Sequence, residues 1–134
     1  MSKIPAIDAI IEDFSYLSDW EDKYSYLIDL SKKLPDMDEA LKTDSHIVQG
    51  CMSRVWMVPI RTENGRFSFI ADSDAIIVRG LIAILYSIFH GVKHDAIQGV
   101  DVGAIFKTLE LDQNISPNRR NGFYAMVEKI KHIC

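Results

Sequence analysis

One interior cysteine, Cys51, follows a glycine and precedes an apolar run in the order His46-Ile47-Val48-Gln49-Gly50-Cys51-Met52-Ser53-Arg54-Val55-Trp56. A thiol acts as a nucleophile or sulfur acceptor through its thiolate, so its reactivity follows local charge and exposure. Glycine tolerates positive φ at little steric cost, and Gly50 therefore permits a bend that presents Cys51 at a loop tip before a strand. A free cysteine also packs as a small buried hydrophobe, and spacing alone leaves both roles open. The small or flexible neighbours Gly50, Met52 and Ser53 favour the reactive one.

Other residues could serve such a thiol. His46 lies five positions upstream and is a candidate base of a Cys–His pair. Spacing does not establish hydrogen-bond reach, and a surface histidine is the simpler reading. Arg119 and Arg120 open the last helix, where cations oppose the helix dipole. Engagement with a carboxylate or thiolate would offset that cost; the alternative is a solvated pair. Asp72 and Asp74 read first as helix caps, with a second role as partners of an arginine or an amide. His90, His94 and His132 read as surface or core-edge residues. No Gly-rich phosphate loop, Ser-His-Asp order or H-E-x-x-H motif occurs.

Composition narrows the field. The 134 residues are nearly half apolar and a quarter charged, enough for one domain, 1–134, with a real core. A net charge of -4 and a pI near 5.5 disfavour nucleic-acid binding, which usually needs a basic face. The start Met1-Ser2-Lys3-Ile4-Pro5 lacks the apolar core of a secretory signal. The apolar stretch over 75–89 is too short and too interrupted to span a bilayer, so a cytoplasmic protein without membrane attachment is expected. The two cysteines, Cys51 and Cys134, form no C-x-x-C pair, and with the four histidines they lack zinc-finger spacing. A free thiol is expected in a reducing compartment, and no metal or other cofactor is expected.

The elements that must position these residues follow from periodicity. Ile7, Ile10, Ile11, Phe14 and Leu17 recur at helical spacing. Asp19 is placed to cap a second helix over 20–33, with Trp20, Tyr24, Leu27 and Ile28 inward and Pro35 ending it. Residues 36–45 form a loop or short helical turn. Three strands are expected, over 46–49, 54–61 and 66–71. Asn64-Gly65, after Glu63, supplies a hairpin signal between the last two. A core helix over 75–90 should start on Asp72-Ser73-Asp74, and short helical pieces follow over 94–98 and 103–109. The last helix begins at Ser116-Pro117 and turns Phe123, Met126, Val127 and Ile130 inward. This order gives an α+β fold with a small antiparallel three-stranded sheet packed against helices.

The motif Val48-Gln49-Gly50-Cys51-Met52-Ser53-Arg54-Val55-Trp56 resembles that of the SufE sulfur-acceptor family, including its CsdE relatives. The resemblance extends through Trp20-Glu21-Asp22-Lys23-Tyr24, Leu34-Pro35 and Asp72-Ser73-Asp74-Ala75-Ile76-Ile77-Val78-Arg79-Gly80-Leu81. It closes on Ile115-Ser116-Pro117-Asn118-Arg119 and Gly122, so it spans nearly the whole chain. It implies a fold similar to the iron–sulfur scaffold IscU, whose cluster-binding cysteines are absent. It further implies that Cys51 accepts persulfide sulfur from a PLP-dependent cysteine desulfurase of SufS or CsdA type. The sulfur would then pass to the SufBCD complex, and the protein would act as an accessory sulfurtransferase without turnover of its own. By the same resemblance Asp74 and Arg119 lie near the cysteine loop. Arg120 falls where many relatives have a small polar residue and is assigned no role. A persulfide needs shielding, and Trp56, Met57 and the core helix are the candidate lining; Gly50 is the candidate hinge. The readings from other classes are a Cys–His hydrolase using Cys51 and His46, and an interaction module in which Cys51 is structural.

Overall fold

The computed structural model describes residues 4–50, 53–62 and 64–133; Cys51, Met52, Glu63 and Cys134 lie outside them. Helix α1 (Ile7–Ser15) buries Ile10 and Phe14. Helix α2 (Trp20–Lys33) has the expected bounds: the Asp19 carboxylate accepts from the Asp22 amide at 2.9 Å. Leu34 turns extended before Pro35, as the ring of a proline requires of its predecessor. Its inner face is rotated from the expected one. Lys23, Leu27, Leu30 and Ser31 are buried, whereas Trp20 and Ile28 are half-buried and Tyr24 is exposed. The reason is the neighbour: α2 lies against α3 (Ile76–Phe89) at Gly80, and a Cβ there would sit 2.5 Å from the Leu27 carbonyl oxygen. That close approach puts the Leu27 stripe inside and leaves the amphipathic rings at the edge.

Residues 39–41 and 44–46 form two 3₁₀ turns. Strands β1 (Val55–Arg61) and β2 (Phe67–Ser73) then pair antiparallel, from Val55 opposite Ser73 to Arg61 opposite Phe67. Gly65 closes the turn at φ 74°, donating to the Thr62 carbonyl at 3.2 Å. Among the described residues the sheet has two strands, not three. The expected first strand is cut short because His46 belongs to the second 3₁₀ turn and Gly50 bends at φ 90°. Only Ile47, bridged to Trp56, and Val48, donating to the Val55 carbonyl at 2.9 Å, touch the sheet.

Helix α3 is the core helix, buried along almost its whole surface and packed by α1, α2, α6 (Pro117–Ile133) and β2. Its expected caps do other work. Asp72 is inside β2, Asp74 binds the Arg54 amide, and only the Ser73 hydroxyl serves the turn, accepting from the Ala75 amide at 3.2 Å. A 3₁₀ segment (His94–Gly99) and α4 (Val102–Thr108) follow close to expectation, the latter capped by Asp101. The four-residue α5 (Leu111–Asn114) was not legible; it starts after Glu110 adopts φ 59°, a conformation no pattern of side chains announces. In α6 Phe123, Met126, Val127 and Ile130 are buried, as their spacing requires. No helix among the described residues is long and apolar enough to cross a membrane.

Candidate functional site

Residues on either side of Cys51 and Met52 are held by named contacts. Gly50 sits at φ 90°, where a Cβ would come 3.4 Å from the Ala125 Cβ on α6. Arg54 is clamped at both backbone groups. Its N–H donates to Asp74 Oδ1 at 3.1 Å, and its carbonyl accepts from the Ser73 hydroxyl at 2.7 Å and the Asp74 amide at 3.3 Å. Asp74 is therefore a positioning residue of the β1 start.

Ser53 opens onto a cavity of about 210 Å³ between α3 and the first turns of α6. Its polar lining is Ser53, Ser116, Asn118 and Arg119. Its apolar lining is Val78 and Leu81 from α3 with Phe123 and Met126 from α6, where Arg119, Phe123 and Met126 share one helical face. Helix α6 presents Arg119 here because Ser116 caps it, accepting the Arg119 amide at 3.2 Å on its hydroxyl and the Arg120 amide at 2.9 Å on its carbonyl. The two arginines divide. Arg120 Nη1 donates to the Asp112 carbonyl at 2.8 Å and ties α6 to α5, while the Arg119 guanidinium makes no hydrogen bond or ion pair among the described residues. The core helix contributes Val78 and Leu81, but neither Trp56 nor Met57 lines this cavity. Alternation explains it: Met57 points into the core and Trp56 to the opposite face of the hairpin.

On that opposite face Lys42 Nζ lies 5.4 Å from the Trp56 ring centroid. The same ammonium pairs with Glu39 at 3.0 Å and with the buried Asp72 at 3.1 Å, and these contacts hold its pKa above the ordinary value, the Glu39 hydrogen bond most of all. Arg79 completes the cluster, pairing with the other Asp72 oxygen and donating to the Ser31 and Leu34 carbonyls at 3.2 and 3.3 Å. A buried carboxylate is tolerable only when paired and hydrogen-bonded in this way. His46 is engaged at the edge of this region. Its Nδ1 lies 2.7 Å from the Leu41 carbonyl oxygen, to which it donates, so the ring closes a turn. The second role expected for Asp72 and Asp74 is the one observed, Asp72 with an arginine and Asp74 with an amide; that Asp72 takes Arg79 and Lys42 had no sequence signal, since the cluster joins a loop, a strand and a helix.

The family model of the SufE domain, associated with Fe–S metabolism, matches residues 8–134. This chain belongs to the SufE family. An uncharacterised SufE-like protein of Rhizobium meliloti is 43% identical over 129 residues, covering 94% of this chain and 92% of its own. A second, from Rhizobium etli, is 43% identical over 94% of this chain and 87% of its own. The solution structure of a hypothetical protein from Thermus thermophilus matches with a TM-score of 0.75 at 18% identity, over 94% of this chain and 90% of that one. That likeness is one of fold, and it agrees with the α+β architecture. Membership of the SufE family gives this chain a role in iron–sulfur metabolism.

Proposed function

We propose that this SufE-family protein is a one-domain cytoplasmic sulfur carrier that accepts persulfide sulfur on Cys51 from a cysteine desulfurase of SufS or CsdA type. It stimulates that enzyme and passes the sulfur to a SufBCD complex, with no cofactor of its own. The observation that carries the reading is the cavity lined by Ser53, two residues after Cys51, and by Arg119. The reaction needs little from the protein. The Cys51 thiolate attacks the terminal sulfur of the donor persulfide, and the donor thiolate leaves with the electron pair. A nearby cation favours the thiolate, which is the role proposed for Arg119. Asp74 holds the exit from the cysteine segment through Arg54, and Gly50 is the proposed hinge.

The test is direct. Incubation with a desulfurase and cysteine should add one sulfur to the intact mass of the wild-type protein and none to Cys51→Ser. An unchanged mass under conditions where the desulfurase is active would remove the carrier assignment.

A further inference from the structure

In an antiparallel ladder each residue turns its N–H and C=O to one side, and neighbours alternate. The Arg54 carbonyl accepts the Asp74 amide, so the even positions of β1 face β2. The Val55 carbonyl accepts from Val48 on the other side, so the odd positions face outward. Val48 covers only the start of that outer edge. Beyond it Met57, Pro59 and Arg61 turn their backbone groups outward, and among the described residues no other segment hydrogen-bonds to them. The far edge of β2 is better closed, since Phe67 exchanges hydrogen bonds of 2.7 Å with Val92 and Gly91. Residues 55–60 carry no charge, and β-prone apolar runs of this kind pair readily with copies of themselves. Against this stands Pro59. A proline lacks the donor and is confined to sheet edges and bulges. Pro59 is exposed, faces outward opposite Phe69, and so costs the hairpin no hydrogen bond; at Val58 or Ile60 it would remove one. Its position along the edge matters as much. When the free segments 57–61 of two copies overlap fully antiparallel, the two-fold axis passes through residue 59. Pro59 then faces its own copy, where the central pair of hydrogen bonds needs two donors and both are missing.

We propose that the outer edge of β1 is a pairing surface for a second copy of this chain, and that Pro59 holds it shut. The occupant is another copy because the free segment complements itself in that register. The Met57 donor of each chain meets the Arg61 carbonyl of the other, and the reverse, on both sides of the axis. Only the centre fails, where two Pro59 carbonyls and two rings face each other. The edge is thus closed by one ring in the covalent chain and not by a covering element. The consequence is a chain that stays single although its hairpin edge is uncovered.

The full-length protein and its variants are compared by sedimentation equilibrium, with reductant present to keep both cysteines free. Pro59→Val restores the donor, and its dimer dissociation constant should fall about ten- to a hundredfold below that of the wild type, the effect of two backbone hydrogen bonds. Pro59→Thr restores it with a polar side chain and should do the same, so that added apolar surface is not the cause. Pro59→Lys restores the donor but sets like charges opposite each other, and should stay as dissociated as the wild type. In Pro59→Val, hydrogen exchange should slow with protein concentration at the amides of positions 57, 59 and 61, and be unaffected at 58 and 60. Valine and threonine variants that are folded by circular dichroism yet associate no more than the wild type overturn the proposal. Equal association of Pro59→Lys and Pro59→Val overturns it too, as does concentration-dependent protection of the Met57 amide in the wild type.

Discussion

Three residues of the candidate site make separable demands. Gly50 holds φ 90°, and an L-residue there takes on strain of roughly 1–2 kcal/mol. Gly50→Ala is expected to lose stability by about that much and to speed hydrogen exchange at the Val48 amide, measured by mass spectrometry. Asp74 is different: its carboxylate accepts the Arg54 N–H at 3.1 Å in exposed surroundings. Asp74→Ala should cost about 0.5–1 kcal/mol in denaturant titration, and Asp74→Asn, which keeps an acceptor oxygen, should retain most of it. Arg119 was legible as a candidate from its place at a helix start, but so was Arg120. The family resemblance favoured Arg119, and the structure ties Arg120 instead to the Asp112 carbonyl, 2.8 Å from its Nη1.

Between elements, the contact of α2 with α3 sets the geometry of the core. A methyl at Gly80 would collide with the Leu27 carbonyl, a backbone group that cannot rotate away. Gly80→Ala is expected to destabilise by about 1–3 kcal/mol, the usual range for overpacking. Gly99→Ala, with nothing within 4 Å of the added carbon, should change stability by no more than about 0.5 kcal/mol. Equal thermal shifts in the two variants would contradict this account of the packing. The bounds of α2 were readable because Asp19 and Pro35 act on their own neighbours. Its inner face was not, since aromatic Trp20 and Tyr24 satisfy a helical stripe as well as Leu30 and Ser31 do. Which stripe turns inward depends on Gly80, 53 positions after Leu27. The missing third strand has the same origin: Ile47 and Val48 are extended, yet a 3₁₀ turn before them and Gly50 after them leave a single bridge.

At the scale of the molecule, several contacts respond to alkaline pH with one sign. Burial, then the hydrogen bond to Asp13 at 2.6 Å, raises the Tyr26 pKa well above the usual 10.0. Burial, then the Asp112 charge, raises Tyr124, with Arg120 opposing. Glu39 and then Asp72 raise Lys42 above 10.5. A folded-state pKa above the unfolded one stabilises the protein below the unfolded value, and that stability is lost as pH rises through the folded one. Stability from these groups should therefore be level up to about pH 10 and decline beyond it, followed by urea midpoints. Tyr26→Phe and Lys42→Met should each flatten the decline; a decline as steep in both would refute the assignment.

Periodicity, caps and turn residues determined helices α1 to α4 and α6, the hairpin and the inward face of α6, because each is a local matter of spacing and backbone chemistry. The run from Val48 to Trp56 carried the family resemblance for the same reason: it is a contiguous string. Tertiary structure alone decided that Asp72 pairs with Lys42 and Arg79 and does not cap α3. It alone put Arg119 with Val78 and Met126 around one cavity. Those groups are distant in sequence, and the energy that joins them, burial and charge pairing, exists only once the chain has closed around its core.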